Sequence, residues 1–236
     1  MGGFASSLAV NNVILDIPNG ILARSDYFLI EKLRDPETTR TNILRVAFDE
    51  IHNSGFRGTS VNEIVAKTNV TKGAFFHYFP TKDDLGYAIV DVLKEMILQR
   101  WIRPLAAYKN PVQGMITRFR KIIETTSDED MILGCPLNNL TQEMSSVDPV
   151  FREKLVAVMT LWIDETERYL KKAQRDGYLK PQVNPRQVAE FVVMVEEGSY
   201  ALAKNLRDRR LYWSFHDSFK QFMASISEKP SMLSDD

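Results

Sequence analysis

From Glu37 onward apolar residues recur at intervals of three and four, the spacing of one face of an α-helix, and no stretch alternates as a half-buried strand would. Residues 39–54 place Ile43, Leu44, Ala47, Phe48 and Ile51 on one stripe, and Gly55 stops it. Residues 60–68 predict a short helix opened by an S-x-x-E capping box, Ser60 with Glu63, and turn Val61, Ile64 and Val65 inward. Residues 71–79 predict a second short helix, separated from the first by only Thr68-Asn69-Val70 and ended by Pro80. Thr81 caps a longer helix to about Arg103, with Asp83 and Asp84 in the first turn, where the helix dipole favours acids, and Pro104 behind it. Further helices are predicted over 111–127, punctuated by Asp128-Glu129-Asp130, and over 138–145. Two long ones follow: Asp148-Pro149 opens a helix to about Asp176, and Asn184-Pro185 opens another to about Arg207. A last helix covers 211–226. The pattern is all-α.

The ends read differently. Residues 4–17 are mildly apolar but broken by Asn11, Asn12 and Asp16, and no Lys or Arg precedes them, so they lack the charged start of a signal peptide. Residues 1–36 are read as a poorly ordered extension and 227–236 as a flexible tail. Between them the pattern divides into a small unit at 37–84 and a larger one at 85–226.

The small unit carries the chemistry. Three helices, the last two joined by a three-residue turn, have helix-turn-helix spacing. One face of the last helix is then buried, and Val70, Phe75 and Phe79 fit that side. Lys72, Ala74, Phe76, His77 and Tyr78 are left pointing out, free to enter a major groove. Charge agrees in sign. Residues 38–82 hold Arg40, Arg45, Arg57, Lys67, Lys72 and Lys82 against Asp49, Glu50 and Glu63, a net of +3, although the whole chain is at −1. Any nucleic-acid contact is therefore local. One cysteine among 236 residues excludes an internal disulfide and a Cys-rich zinc module, and fits a reducing cytoplasm. No apolar run is long enough to cross a bilayer. The three histidines form no H-x-x-x-H pair, and no G-x-S-x-G, Walker or Rossmann pattern appears, so neither an enzyme nor a metal or cofactor site is expected.

The stretch TSVNEIVAKTNVTKGAFFHYFPTKDDL at 59–85, above all 72–79 followed by Lys82 and Leu85, resembles the DNA-binding domain of the tetracycline-repressor (TetR) family, a likeness covering roughly residues 38–100. The resemblance implies an N-terminal three-helix helix-turn-helix domain and a larger C-terminal helical domain for ligand binding and dimerisation. It also implies a ligand-responsive regulator, most simply a repressor that holds a palindromic double-stranded operator as a homodimer and is released by a small molecule. An activator of the same family, or a helical interaction protein without DNA binding, are the alternatives. The family usually has Tyr where this chain has Phe76, which leaves an apolar face suited to a thymine methyl.

Geometry and resemblance together give roles. Thr71 caps the recognition helix and reaches phosphate, while Lys72 and Ala74 lie nearest base edges. Gly73 lets the backbone approach, Phe76 presents its apolar face, and His77 and Tyr78 flank the groove, Tyr78 on phosphate. Lys82, Thr59 and Ser60 are further phosphate contacts. The competing readings are pure capping for Thr71 and Ser60, core packing for Phe76, an uninvolved surface histidine for His77 and a solvated charge for Lys82.

A dimer is expected through residues of about 150–176 and 186–207. The first segment stacks Phe151, Leu155, Val158, Met159 and Trp162. The second runs Val188, Phe191, Val192, Val195, Ser199 and Leu202, with small Gly198, Ala201 and Ala203. Intramolecular core is the other reading. The effector set is Trp101, Phe119, Cys135, Asn138, Gln142, Trp162 and Tyr200, with Met115, Ile122, Leu137, Leu140, Met144, Tyr169 and Met194 as apolar lining and Asn139, Glu196 and Glu197 as polar contacts. Cys135 stands at a helix N-terminus, where a thiol pKa is depressed and electrophiles or oxidants react; the plainer reading is a small buried hydrophobe.

Overall fold

A computed structural model describes residues 39–233, and within them the chain is helical apart from turns and one isolated antiparallel bridge, Leu179 with Ser227. The N-terminal unit is α1 (Thr39–Ser54), α2 (Val61–Thr68), α3 (Lys72–Tyr78) and the start of α4 (Lys82–Ile97). Its core is the predicted stripe: Ile43, Leu44, Ala47 and Phe48 of α1 meet Ile64, Phe75, Phe79 and Leu85, all nearly or fully buried. Local chemistry fixes the ends. The Ser60 hydroxyl accepts from the Glu63 amide at 3.2 Å while the Glu63 carboxylate accepts from the Ser60 amide at 2.8 Å. Asn69 closes α2 in the left-handed region at φ 54°, a conformation Asn tolerates. The Asn42 side-chain amide donates to the Thr68 carbonyl at 3.1 Å, tying α1 to the turn before α3.

α4 leaves this unit and enters the larger one. Its sequence pattern runs on to about Arg103, but the α-helix stops at Ile97; a π-helical turn, Leu98–Ile102, and a 3-10 turn, Arg103–Ala107, carry the chain to Tyr108. Pro104 lies inside the 3-10 turn, and the wider π-turn lets Trp101 and Ile102 both face inward before it. Then come α5 (Pro111–Thr125), α6 (Asp128–Leu133), α7 (Pro136–Met144), α8 (Pro149–Arg175), α9 (Pro185–Leu206) and α10 (Arg210–Ile226). The acids expected to punctuate the chain instead form the first turn of α6, capped by the Ser127 hydroxyl on the Asp130 amide at 3.1 Å. α8 and α9 pack side by side, and α10 lies on α5 and α9.

The tail also departs from expectation. The Ser227 hydroxyl donates to the Met223 carbonyl at 2.7 Å, the Glu228 amide donates to the Tyr178 carbonyl at 3.0 Å, and Leu233 is buried. Residues 227–233 are therefore docked on the α8–α9 turn by backbone hydrogen bonds, which the polar sequence did not announce. The expected extension at 1–36 lies outside the described residues.

The two units meet at an aromatic joint. Phe151 from the first turn of α8 stands edge-on to Phe56 and to Tyr87, each 4.9 Å away centroid to centroid. Gly86 permits it: a Cβ there would lie 2.3 Å from Phe151 Cζ and 2.5 Å from Phe56 Cε2.

Candidate nucleic-acid interface and sensor cavity

Two turns of helix make the candidate interface. The Thr71 hydroxyl accepts from the Ala74 amide at 3.1 Å and so starts α3. Phe75 is fully buried and Phe79 nearly so, with ring centroids 6.0 Å apart. Truncating either would cost about 3–5 kcal/mol, so the pair fixes which face of α3 is turned outward. That face presents Lys72, Gly73, Phe76, His77 and Tyr78, with Ala74 half-buried at its edge. Phe76 is 40% exposed, so the core-packing reading falls, although its ring edge still touches Phe75. Val70, expected inside, is only half-buried.

Around this face, Ser60 and Thr81 cap the exposed ends of α2 and α4. Lys82 is held rather than splayed: its Nζ lies 4.6 Å over the Phe56 ring. Burial there pushes the ammonium pKa down, while Glu143, Asp83 and Glu63 pull it back up. Thr59 leaves the phosphate-facing set. It is 2% exposed and its hydroxyl donates to the Gly55 carbonyl at 2.8 Å, so it closes the turn after α1 instead. Lys67, part of the basic count, is already paired with Glu50 at 2.6 Å.

A cavity of about 140 Å³ lies where α4, α7, α8 and α9 of the larger unit meet α1, walled by Met96, Arg100, Trp101, Cys135, Trp162 and Tyr200 and closed by Phe48 and His52 of α1. Behind the Trp101–Trp162 pair a second void of about 20 Å³ is lined by Phe119, Met115 and Glu196. Asn138 and Gln142 do not face either space. They line an open cleft of about 830 Å³ between α1, α7 and α9, which shares Cys135 and Tyr200 with the cavity. The predicted effector set is thus split among three spaces. Met194 is in none of them, because it is 63% exposed on the outer side of α9.

Two adjacent acids of α9 have their own physics, Glu196 on the smaller void and Glu197 beside it but on none of the three spaces. Burial pushes the Glu197 carboxyl up to about 7, and burial with the neighbouring Glu197 raises Glu196 as well. The Glu196 Oε1 atom is buried without a hydrogen-bond partner, whereas the Cys135 and Asn138 side chains beside the Glu197 carboxyl hold its rise back. Cys135 reverses its expectation. Burial first, and the Glu197 carboxyl second, push the thiol well up; amides at the start of α7 act the other way and lose. Burial and the raised thiol pKa oppose the expected reactivity and favour the buried-hydrophobe reading. Sequence reasoning missed Arg100, whose guanidinium donates to the Thr126 hydroxyl at the cavity wall; nothing in its spacing marks it.

Phe151, Leu155, Val158 and Trp162 of α8, and Val188, Val192 and Ser199 of α9, are interior, so these members of the expected dimer stripe belong to the chain's own core. Part of that stripe remains outside: Phe191 and Leu202 on α9 are exposed around Gly198, whose Cα has open space beside it, and Met194 of α9 and Val156 of α8 are exposed with them.

Comparison with known proteins covers both units. Residues 43–89 match the family described as bacterial regulatory proteins, tetR family, and residues 112–219 match the tetracyclin repressor-like C-terminal domain. The transcriptional regulator AcuR of Cereibacter sphaeroides is 28% identical over 178 residues, spanning 72% of this chain and 78% of that one. The HTH-type transcriptional repressor DhaR of a Mycobacterium species is 28% identical over 159 residues, spanning 66% and 77%. A solved regulatory protein TetR from Rhodobacter sphaeroides superposes with a TM-score of 0.68 at 26% identity, covering 78% of this chain and 97% of that one.

Proposed function

The chain belongs to the TetR family of DNA-binding transcriptional regulators, and we propose that it works as a cytoplasmic, homodimeric repressor that leaves its operator when a small molecule fills the cavity beside Trp101. The observation that carries this reading is the outward face of α3, where Lys72, Phe76, His77 and Tyr78 stand exposed on a helix whose other side is locked by Phe75 and Phe79. Ser60, Thr71, Tyr78 and Lys82 supply phosphate contacts; Lys72, Gly73, Ala74, Phe76 and His77 approach base edges. Among the described residues no helix is long and apolar enough to cross a membrane.

Dimerisation is assigned to the apolar outer stripe of α9 with the exposed edge of α8. The cavity, near 140 Å³, matches the size of engineered cavities that hold a benzene-sized molecule, so the effector is compact or opens the Trp101–Trp162 wall as it enters. Release is a population shift: a ligand that favours the wrongly spaced dimer weakens DNA binding by the same factor, typically 5- to 150-fold. Selection of bound duplexes from a random pool tests the reading. The expected consensus is a near-palindrome with half-sites about 34–36 Å, one DNA turn, apart. No enrichment, even in dilute salt, would reject it.

A further inference from the structure

Among the described residues, the shortest polar contacts between the sensor half and the DNA-reading half include those of Glu143 near the end of α7. Its carboxylate accepts from two successive backbone amides in the α1–α2 link: Oε2 from Phe56 and Oε1 from Arg57, both at 2.7 Å. Charge-assisted bonds of this kind are short and directional. The preceding residue, Gly55, has φ +79°, and a Cβ there would lie 3.0 Å from the same carboxylate, so the link is shaped around Glu143. Lys82 lies within the electrostatic reach of Glu143 and over the Phe56 ring. One side chain thus gathers the end of α1, the approach to α2 and the first turn of α4.

The other end of α7 is the cavity. Cys135 and Pro136 wall it, Asn138 donates to the Glu197 carbonyl of α9 at 3.4 Å, and His52 of α1 donates from Nε2 to the Gly134 carbonyl at 2.8 Å. α7 is nine residues long, about 13 Å from end to end at the helical rise. A helix of that length moves as one piece.

Resting on the repressor reading above, we propose that Glu143 is the positioning residue that transmits the state of the cavity to the helix-turn-helix. Whatever displaces Cys135 and Pro136 displaces α7, and Glu143 carries the Phe56–Arg57 link, and with it α2 and α3, along. α4, and α1 through Phe48 and His52 on the cavity wall, offer other routes between the same two regions, and a double-mutant cycle separates them from Glu143.

The effector being unidentified, a substitution takes its place. Cys135→Met in the full chain extends a side chain into the adjoining cavity. Affinity for the selected operator duplex is measured by anisotropy for wild type, Cys135→Met, Glu143→Ala and the double variant, with Glu143→Gln, which keeps the shape and one acceptor, as the gentler partner should the alanine variant melt early. Cys135→Met is expected to weaken operator binding on the order of 10-fold in the wild-type background and less than about 2-fold once Glu143 is replaced. Binding to a scrambled duplex in low salt should stay level in all variants, since it needs only a folded helix-turn-helix; general unfolding would lower it too. An equal effect of Cys135→Met in both backgrounds, or no effect in the wild type, would overturn the proposal and leave the repressor reading intact. A wild-type chain that ignores every duplex would overturn both.

Discussion

Gly86→Ala sets two effects against each other with opposite signs. Gly86 sits in α4, where alanine is the better helix former by about 1 kcal/mol, so propensity alone predicts a more stable protein. Packing predicts the reverse. The new methyl would stand 2.3 Å from Phe151 Cζ and 2.5 Å from Phe56 Cε2, whereas carbon atoms rest at about 3.5–4.0 Å, so both rings must retreat by more than about 1 Å. Neither has room: Phe151 is 0% exposed and Phe56 3%. Overpacking of this kind costs roughly 1–3 kcal/mol, and two enclosed rings put it at the upper end. The net expectation is a loss of about 2 kcal/mol, or a fall in Tm of about 4–8 °C for a chain of this size. Urea unfolding at fixed protomer concentration reads it, because the proposed dimerisation would make stability concentration-dependent. Phe151→Leu in the same chain should return part of the loss by making space. A Gly86→Ala protein as stable as wild type, or more so, would refute the close-approach account.

Three further outcomes are expected. Lys72→Ala should weaken the selected operator by about 1–3 kcal/mol and relax the preference at one base position while scrambled duplexes change little; an equal loss on both, with the log–log salt slope lowered by about one, would make Lys72 a phosphate contact instead. Met194→Glu, on the exposed stripe of α9, should shift sedimentation toward monomer and cut operator affinity more than 10-fold, while a variant that stays dimeric would move the interface elsewhere. Glu197 titrates near 7 in the native state against an ordinary 4.5, so the native state keeps a proton that the unfolded chain releases. Stability should fall as pH rises between those values and then level, by up to about 3 kcal/mol. Glu197→Gln should match wild type near pH 5 and exceed it at pH 8; parallel curves would show the carboxyl to be solvated.

The helix-turn-helix was legible because its signals are local. Ser60 and Glu63, Thr71, Thr81 and Pro80 each mark a boundary by chemistry within four residues, and the structure puts the boundaries there. What failed depends on partners far away in sequence. Cys135 was placed correctly at a helix start, yet its thiol is governed by burial and by Glu197, which periodicity does not reveal. The apolar stripes of α8 and α9 are visible in the sequence, but a helix buried on one side and apolar on its exposed side carries two stripes, and spacing does not say which is which; hence Phe151 and Trp162 lie inside and Met194 outside. Glu143 was invisible, since an acid gripping backbone amides 86 and 87 residues away leaves no pattern.

The shortness of α3 has an evolutionary corollary. Seven residues do not hold a helix in water by themselves, so its form is borrowed from Phe75, Phe79 and the Thr71 cap. Lys72, His77 and Tyr78 contribute little to that form and are free to change identity without endangering the rest of the molecule. Lineages descending from this scaffold can therefore acquire new target sequences one surface residue at a time, while inheriting the cavity and the rest of the helical frame unaltered.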